Sequence, residues 1–319
     1  MKEKFSSSIG SYIMLFLEFK HAQGLRYLTG EYYLSKLDDY WTTNGFDSSF
    51  TKEHVHRWML RREHESNNTH CCRMSFLREF SKFLHAQGLS DIYLIPRGMS
   101  KRGSKYMPYL FSDDKVKKFF SACDTMRPSK EIPCRALVLP AYFRFLYCCG
   151  VRTGEARVLR VEDTNLPQGY VDIIKAKGFK SRRLFIKDEL LRILAEFDSK
   201  ISLCYPNRTY FFPLDTADAY SPHQIARSFN EIWREAGLPL GGQPKPRAYD
   251  FRHHFAFSNI NRWTEKGIDA NGMLPYLMHY MGHSSIKSTF YYLHLVPEFF
   301  STYSERTKSL ENMIPEVVS

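Results

Sequence analysis

Apolar residues at Ile9, Tyr12, Ile13, Phe16 and Phe19 recur at three- and four-residue intervals, the stripe of an amphipathic helix. Phe76, Leu77, Phe80, Phe83 and Leu84 repeat the pattern in a later helix. Both segments end alike, in Phe19-Lys20-His21-Ala22-Gln23-Gly24-Leu25 and Phe83-Leu84-His85-Ala86-Gln87-Gly88-Leu89, where glycine suits the left-handed turn that stops a helix. The echo fits either duplication of a helical unit or a shared way of ending one. Further on, Ser112 stands as an N-cap before Asp113 and Asp114, acids suited to a first helical turn. The pattern then predicts helices over 132–149, 153–160, 187–199, 222–236, 250–262, 271–281 and 285–309, the last broken or kinked near Pro297. One stretch departs from helical spacing. Tyr170–Lys175 and Arg182–Ile186 read as strands, with Lys177-Gly178-Phe179-Lys180 as the turn between them.

The expected fold is therefore mainly α, with one small antiparallel β-hairpin. A stretch rich in Pro, Gly and positive charge, without apolar periodicity, divides the chain. We place a helical domain at 1–95, a linker at 96–110 carrying Lys101, Arg102 and Lys105, and a second domain at 111–319.

Composition narrows the class. The 319 residues are 43% hydrophobic and 25% charged, as in a globular chain with a packed core. Lys and Arg number 45 against 34 for Asp and Glu, a formal charge of +11, which favours a polyanionic partner because neutralised phosphates release counterions. An ordinary basic surface has the same charge, and His223 and Arg227 fit a DNA groove or water equally. Seven cysteines form no Cys-x-x-Cys pattern, and an odd count with adjacent pairs at Cys71-Cys72 and Cys148-Cys149 suits reduced thiols in a cytoplasmic protein. The apolar run Tyr12–Leu17 is far short of the ~20 residues that cross a bilayer, so neither a signal peptide nor a membrane partner is expected.

Three short motifs carry the chemistry. Gly150-Val151-Arg152-Thr153-Gly154-Glu155 comes first, Tyr249-Asp250-Phe251-Arg252 a hundred residues later, and then Met281-Gly282-His283, with Tyr292 nine residues after His283. In this order they resemble the catalytic domain of the tyrosine recombinases, the phage integrase family, from about residue 111 to 309; the first domain is similar to that family's helical core-binding domain but carries no diagnostic motif. The resemblance implies that Arg152 and Arg252 clamp a scissile phosphate. Guanidiniums stay charged and offer forked donors matched to its non-bridging oxygens. His283 adds a donor. Lys177, on the hairpin, protonates the leaving 5′-oxygen, and Tyr292 attacks phosphorus to give a 3′-phosphotyrosine. Glu155 either orients neighbouring groups or simply complements a helix dipole.

One position departs from the family pattern. Tyr249 stands where the family usually has histidine, and a phenol of pKa about 10 cannot shuttle protons near neutrality as imidazole does. It can still donate a hydrogen bond to a phosphate oxygen. Lys101, Arg102, Lys105, Lys180 and Arg182 are expected to contact DNA phosphates.

By resemblance, then, the chain is expected to be a site-specific recombinase of a mobile element. Its partners would be double-stranded recombination sites, three further copies in a homo-tetramer assembled on DNA, and accessory DNA-binding factors. No metal or cofactor is expected, since exchanging a phosphodiester needs neither, and the location would be the nucleoid. The alternatives are a catalytically impaired DNA-binding accessory protein, favoured by Tyr249, and a type IB topoisomerase-like activity.

Overall fold

The stripe from Ile9 to Phe19 becomes a helix whose buried face is Ile9, Ile13, Phe16 and Leu17, while Phe19, at its end, stays half exposed. The computed structural model describes residues 5–100, 103, 107–174, 181–242 and 244–283. The chain divides into two compact units, Met1–Lys105 and Tyr106–Ser319. In the first unit, α1 (Gly10–Ala22), α2 (Leu28–Asn44), α3 (Lys52–Met59) and α4 (Asn67–Ala86) surround an aromatic core. Trp41 stacks on Phe50 with ring centroids 5.2 Å apart. Thr51 and Ser66 cap α3 and α4, their hydroxyls accepting from the backbone N–H groups of His54 and Thr69. After α1 and α4, Gly24 and Gly88 take φ of +77° and +76°, as the matching Ala-Gln-Gly endings predict.

A buried ion pair shapes the loop between α3 and α4. Arg73, on α4, donates to both carboxylate oxygens of Glu65 at 2.8 and 2.7 Å. It also donates to the carbonyls of Trp58 and Leu60. Nothing in the spacing of the sequence announces this clamp.

The second unit holds α5 (Asp113–Asp124), α6 (Arg135–Cys149), α7 (Thr153–Arg157), β1 (Thr164–Asn165), β2 (Tyr170–Ile173), β3 (Arg182–Phe185), α8 (Asp188–Cys204), α9 (Pro222–Glu235), α10 (Asp250–Glu265) and α11 (Ala270–Met281). Mainly helical, it matches the expected class. Boundaries differ where local punctuation is weak: α7 stops at Arg157 rather than 160, and α8 runs to Cys204 rather than 199. Ser112 occupies the N-cap of α5, but its hydroxyl makes no capping bond. Ser221 does cap α9, and the Gln224 side chain accepts from the Ser221 backbone N–H in return, a reciprocal pair that fixes the start of that helix. The expected helix over 285–309 and the hairpin turn at Lys177–Lys180 lie outside the described residues.

The sheet has three strands rather than two, in the order β1-β2-β3, all antiparallel. The register pairs Val171 with Leu184 and Ile173 with Arg182. Val171, Ile173 and Leu184 point inward, and so does Arg182, which lies two residues before Leu184 on the same face. Helix α6 is the centre of this unit, packed by α5, α8 and α10. Phe143, Phe145 and Leu146 on it are fully buried, so its end at Gly150 is held firmly where the site begins.

Candidate active site

Gly150 ends α6 at φ +58°, and a Cβ there would sit 2.4 Å from the Phe255 ring, so only glycine allows α10 to approach this turn. Through that approach, Arg252 on α10 reaches the Gly150 carbonyl, donating from Nη1 at 2.7 Å. Its Nη2 donates to the Met281 carbonyl at the end of α11, also at 2.7 Å. Arg252 is only 1% exposed. Arg152, two residues beyond Gly150, stands at the N-cap of α7 and donates from Nη2 to the Gly282 carbonyl at 2.8 Å. The two motif arginines, a hundred residues apart in sequence, thus meet across the ends of α6 and α11.

Glu155 links Arg152 to the sheet. Its carboxylate accepts from Arg152 Nη1 at 2.6 Å and from the Arg152 backbone N–H at 3.0 Å. It also accepts from Arg182 Nη1 and Nη2 at 3.2 and 2.7 Å. Burial pushes this carboxyl up, but hydrogen bonds and charge from Arg182 and Arg152 outweigh it and hold the acid below its ordinary value. A helix-dipole role alone would not bring two guanidiniums onto one carboxylate.

His283 follows Gly282 directly, its backbone N–H bonded to the Met278 carbonyl at 2.9 Å. Burial, and then the charges of Arg252, Arg152 and Arg182, lower its imidazole pKa to about 3. At neutral pH it is an uncharged ring, able to donate a hydrogen bond without adding a cation. Tyr249, at the N-cap of α10, is 36% exposed, with its ring centroid 5.3 Å from that of His253. It lines an open cleft of about 380 Å³ together with Arg152, Glu155, Asp163 and Asp172. Burial, then the charges of Arg247 and Arg252, take His253 down to about 4.

Four of the sequence-derived candidates, Arg152, Glu155, Arg252 and His283, therefore meet at one place, with Tyr249 on the cleft beside Arg152. Arg182 departs from its expected role as a surface phosphate contact: it is 7% exposed and its fork is spent on Glu155 and on the Tyr280 carbonyl. Its alternation with Leu184 along the strand is the signal that could have turned it inward. Lys177, Lys180, Tyr292, Lys101, Arg102 and Lys105 lie outside the described residues.

A partly buried, cation-rich turn with a neutral histidine is suited to hold a tetrahedral anion and to stabilise added negative charge on its oxygens. The Phage integrase family profile matches residues 110–298, and the chain belongs to this family, the tyrosine recombinases. It is a DNA strand-cleaving and rejoining enzyme. The tyrosine recombinase XerC of Lactobacillus delbrueckii subsp. bulgaricus is 26% identical over 227 residues, 70% of each chain. Among solved structures, the XerH site-specific recombinase in a post-cleavage complex with palindromic difH substrate shares the fold, with a TM-score of 0.64 and 18% identity over 86% of this chain and 78% of that one. A lambda integrase tetramer bound to a Holliday junction shares it with a TM-score of 0.59 and 15% identity over 89% of this chain and 79% of that one.

Proposed function

We propose that this recombinase acts at specific DNA sites, cutting one strand through Tyr292 to leave a 3′-phosphotyrosine and a free 5′-hydroxyl, and rejoining it by the reverse attack. Arg152 and Arg252 clamp the non-bridging oxygens, His283 donates to one of them, and Lys177 protonates the departing 5′-oxygen. Tyr249 donates a hydrogen bond to the phosphate from the cleft it shares with Arg152. The observation that carries this reading is the convergence of Arg152 and Arg252 on the joined ends of α6 and α11, beside His283.

Binding follows from charge. Residues 1–95 form the core-binding domain, 96–110 a basic linker on the duplex backbone, and 111–319 the catalytic domain. Lys101, Arg102, Lys105 and Lys180 neutralise phosphates. Four copies assemble on two recombination sites, with accessory DNA-binding factors, in the nucleoid, and the element served is a mobile one.

Incubation with a nicked target duplex is expected to trap an adduct that survives denaturation and disappears in Tyr292→Phe. An undiminished adduct in that variant refutes the assignment. A second reading, a DNA-binding accessory protein with impaired catalysis, is favoured by Tyr249 in place of histidine. It predicts tight binding to authentic sites with no covalent product.

A further inference from the structure

Three arginines from three elements converge on three consecutive carbonyls. Arg182 on β3 donates from Nε to the Tyr280 oxygen at 2.8 Å. Arg252 on α10 donates to that of Met281 at 2.7 Å, and Arg152 to that of Gly282 at 2.8 Å. The last carbonyls of a helix lack intrahelical donors and carry the negative end of its dipole, so each guanidinium is favourably placed. Two of the three belong to the expected phosphate clamp. Arg182 does not, yet it is the one that also holds Glu155 with both remaining nitrogens, and Glu155 in turn holds Arg152.

The packing at this point leaves no room for a side chain on the turn. Gly282 ends α11 at φ +66°, and a Cβ there would lie 2.7 Å from Arg182 Nη1 and 3.0 Å from its Cζ. The guanidinium lies directly against the turn that precedes His283. Its Nε, Nη1 and Nη2 are all engaged, joining β3, Glu155 and the end of α11 at one planar group, an arrangement suited to fixing distances.

We propose that Arg182 is a positioning residue for DNA cleavage: by tying Glu155 to the carboxyl end of α11, it holds Arg152 and His283 in one register before DNA arrives. The proposal rests on the cleavage reading above. It places a tie between β3, the α7 turn and α11, so that the strand following the Lys177 loop and the helix preceding the Tyr292 segment are joined at one guanidinium. Lysine in its place retains a charge but not the fork, and so cannot reproduce the two Nη bonds to Glu155 together with the separate Nε bond to the carbonyl.

The test uses the full chain and a nicked duplex built from a site that it selects by binding from a randomised duplex pool. Arg182→Lys, Glu155→Gln and the double variant are compared for melting temperature, DNA affinity and the single-turnover rate of adduct formation at saturating DNA. Affinity is expected to hold while the rate falls roughly 10- to 100-fold, as for a sub-ångström to ångström misplacement of reacting groups. The double variant is expected to fall no further than the worse single one, because both break the same tie. An unchanged rate in folded Arg182→Lys overturns the proposal. So does a loss of affinity and salt dependence at constant saturated rate, the pattern of a phosphate contact. Should that variant not fold, Gly282→Ala displaces the same guanidinium and carries the same outcomes. A wild-type chain that forms no adduct on any selected duplex fails the cleavage reading itself; an active wild type matched by its variants fails the positioning role alone.

Discussion

His283 is partly buried beside three guanidiniums, and burial together with their charge keeps its imidazole neutral. Its imidazole is expected to show no protonation in an NMR titration between about pH 5 and 8, the range in which an unperturbed ring changes charge. A titration midpoint near 6.5 would show that the three cations do not surround it. The folded pKa lies below the unfolded one, so the unfolded chain binds the extra proton, and this residue's contribution is present above pH 6.5 and lost as pH falls towards about 3. Gly282 is a second residue-scale case. Alanine there meets both a left-handed backbone and the Arg182 guanidinium, and is expected to cost roughly 1–3 kcal/mol in denaturant unfolding. At this scale the motif residues were legible, because Arg152, Arg252 and His283 sit in recognisable local settings. Arg182 was not, since it lies among other basic residues and only the sheet register turns it away from solvent.

Between α3 and α4 the decisive interaction is the Arg73–Glu65 pair, whose side chains are 1% and 5% exposed. Removing one partner of such a pair leaves a buried charge, so Arg73→Met is expected to cost about 3–5 kcal/mol by chemical denaturation. A loss below about 1 kcal/mol, the ordinary value of an exposed pair, would contradict the burial argument. Hydrogen bonding to Arg73 lowers Glu65 to about 2, against an ordinary 4.5. The folded carboxyl therefore resists protonation, and its contribution, complete above pH 4.5, drains away as pH falls through about 2. Apolar spacing made α1 and α4 readable, together with the helices of the second unit and the Gly24 and Gly88 stops, whereas α2 and α3 were not singled out. The ends of α7 and α8 were not, because neither carries a glycine stop at its true boundary. The short β1 strand was missed because two residues are too few to show alternation.

Across the whole molecule, a formal charge of +11 makes DNA affinity a function of salt. Replacing Lys101, Arg102 and Lys105 together by alanine is expected to weaken binding to all duplexes alike. The slope of log affinity against log salt should also become shallower, by about one for each phosphate that is no longer neutralised. A changed sequence preference with an unchanged slope would mean that these residues read bases rather than phosphates. No helix among the described residues is long and apolar enough to cross a membrane, and none of their His, Cys, Asp and Glu side chains gather in threes as a metal site would need.

Helical class, the basic balance and the ordered motifs are local or additive properties of the chain, and so they could be read before any fold was known. Which carbonyls the arginines meet, and that Arg182 faces inward to Glu155, are decided by helix ends and strand register that come together only after α6, α10, α11 and the sheet have packed. A one-residue slip of β3 would turn Arg182 out to solvent and leave every sequence motif intact, which is why that part of the site belongs to tertiary structure alone.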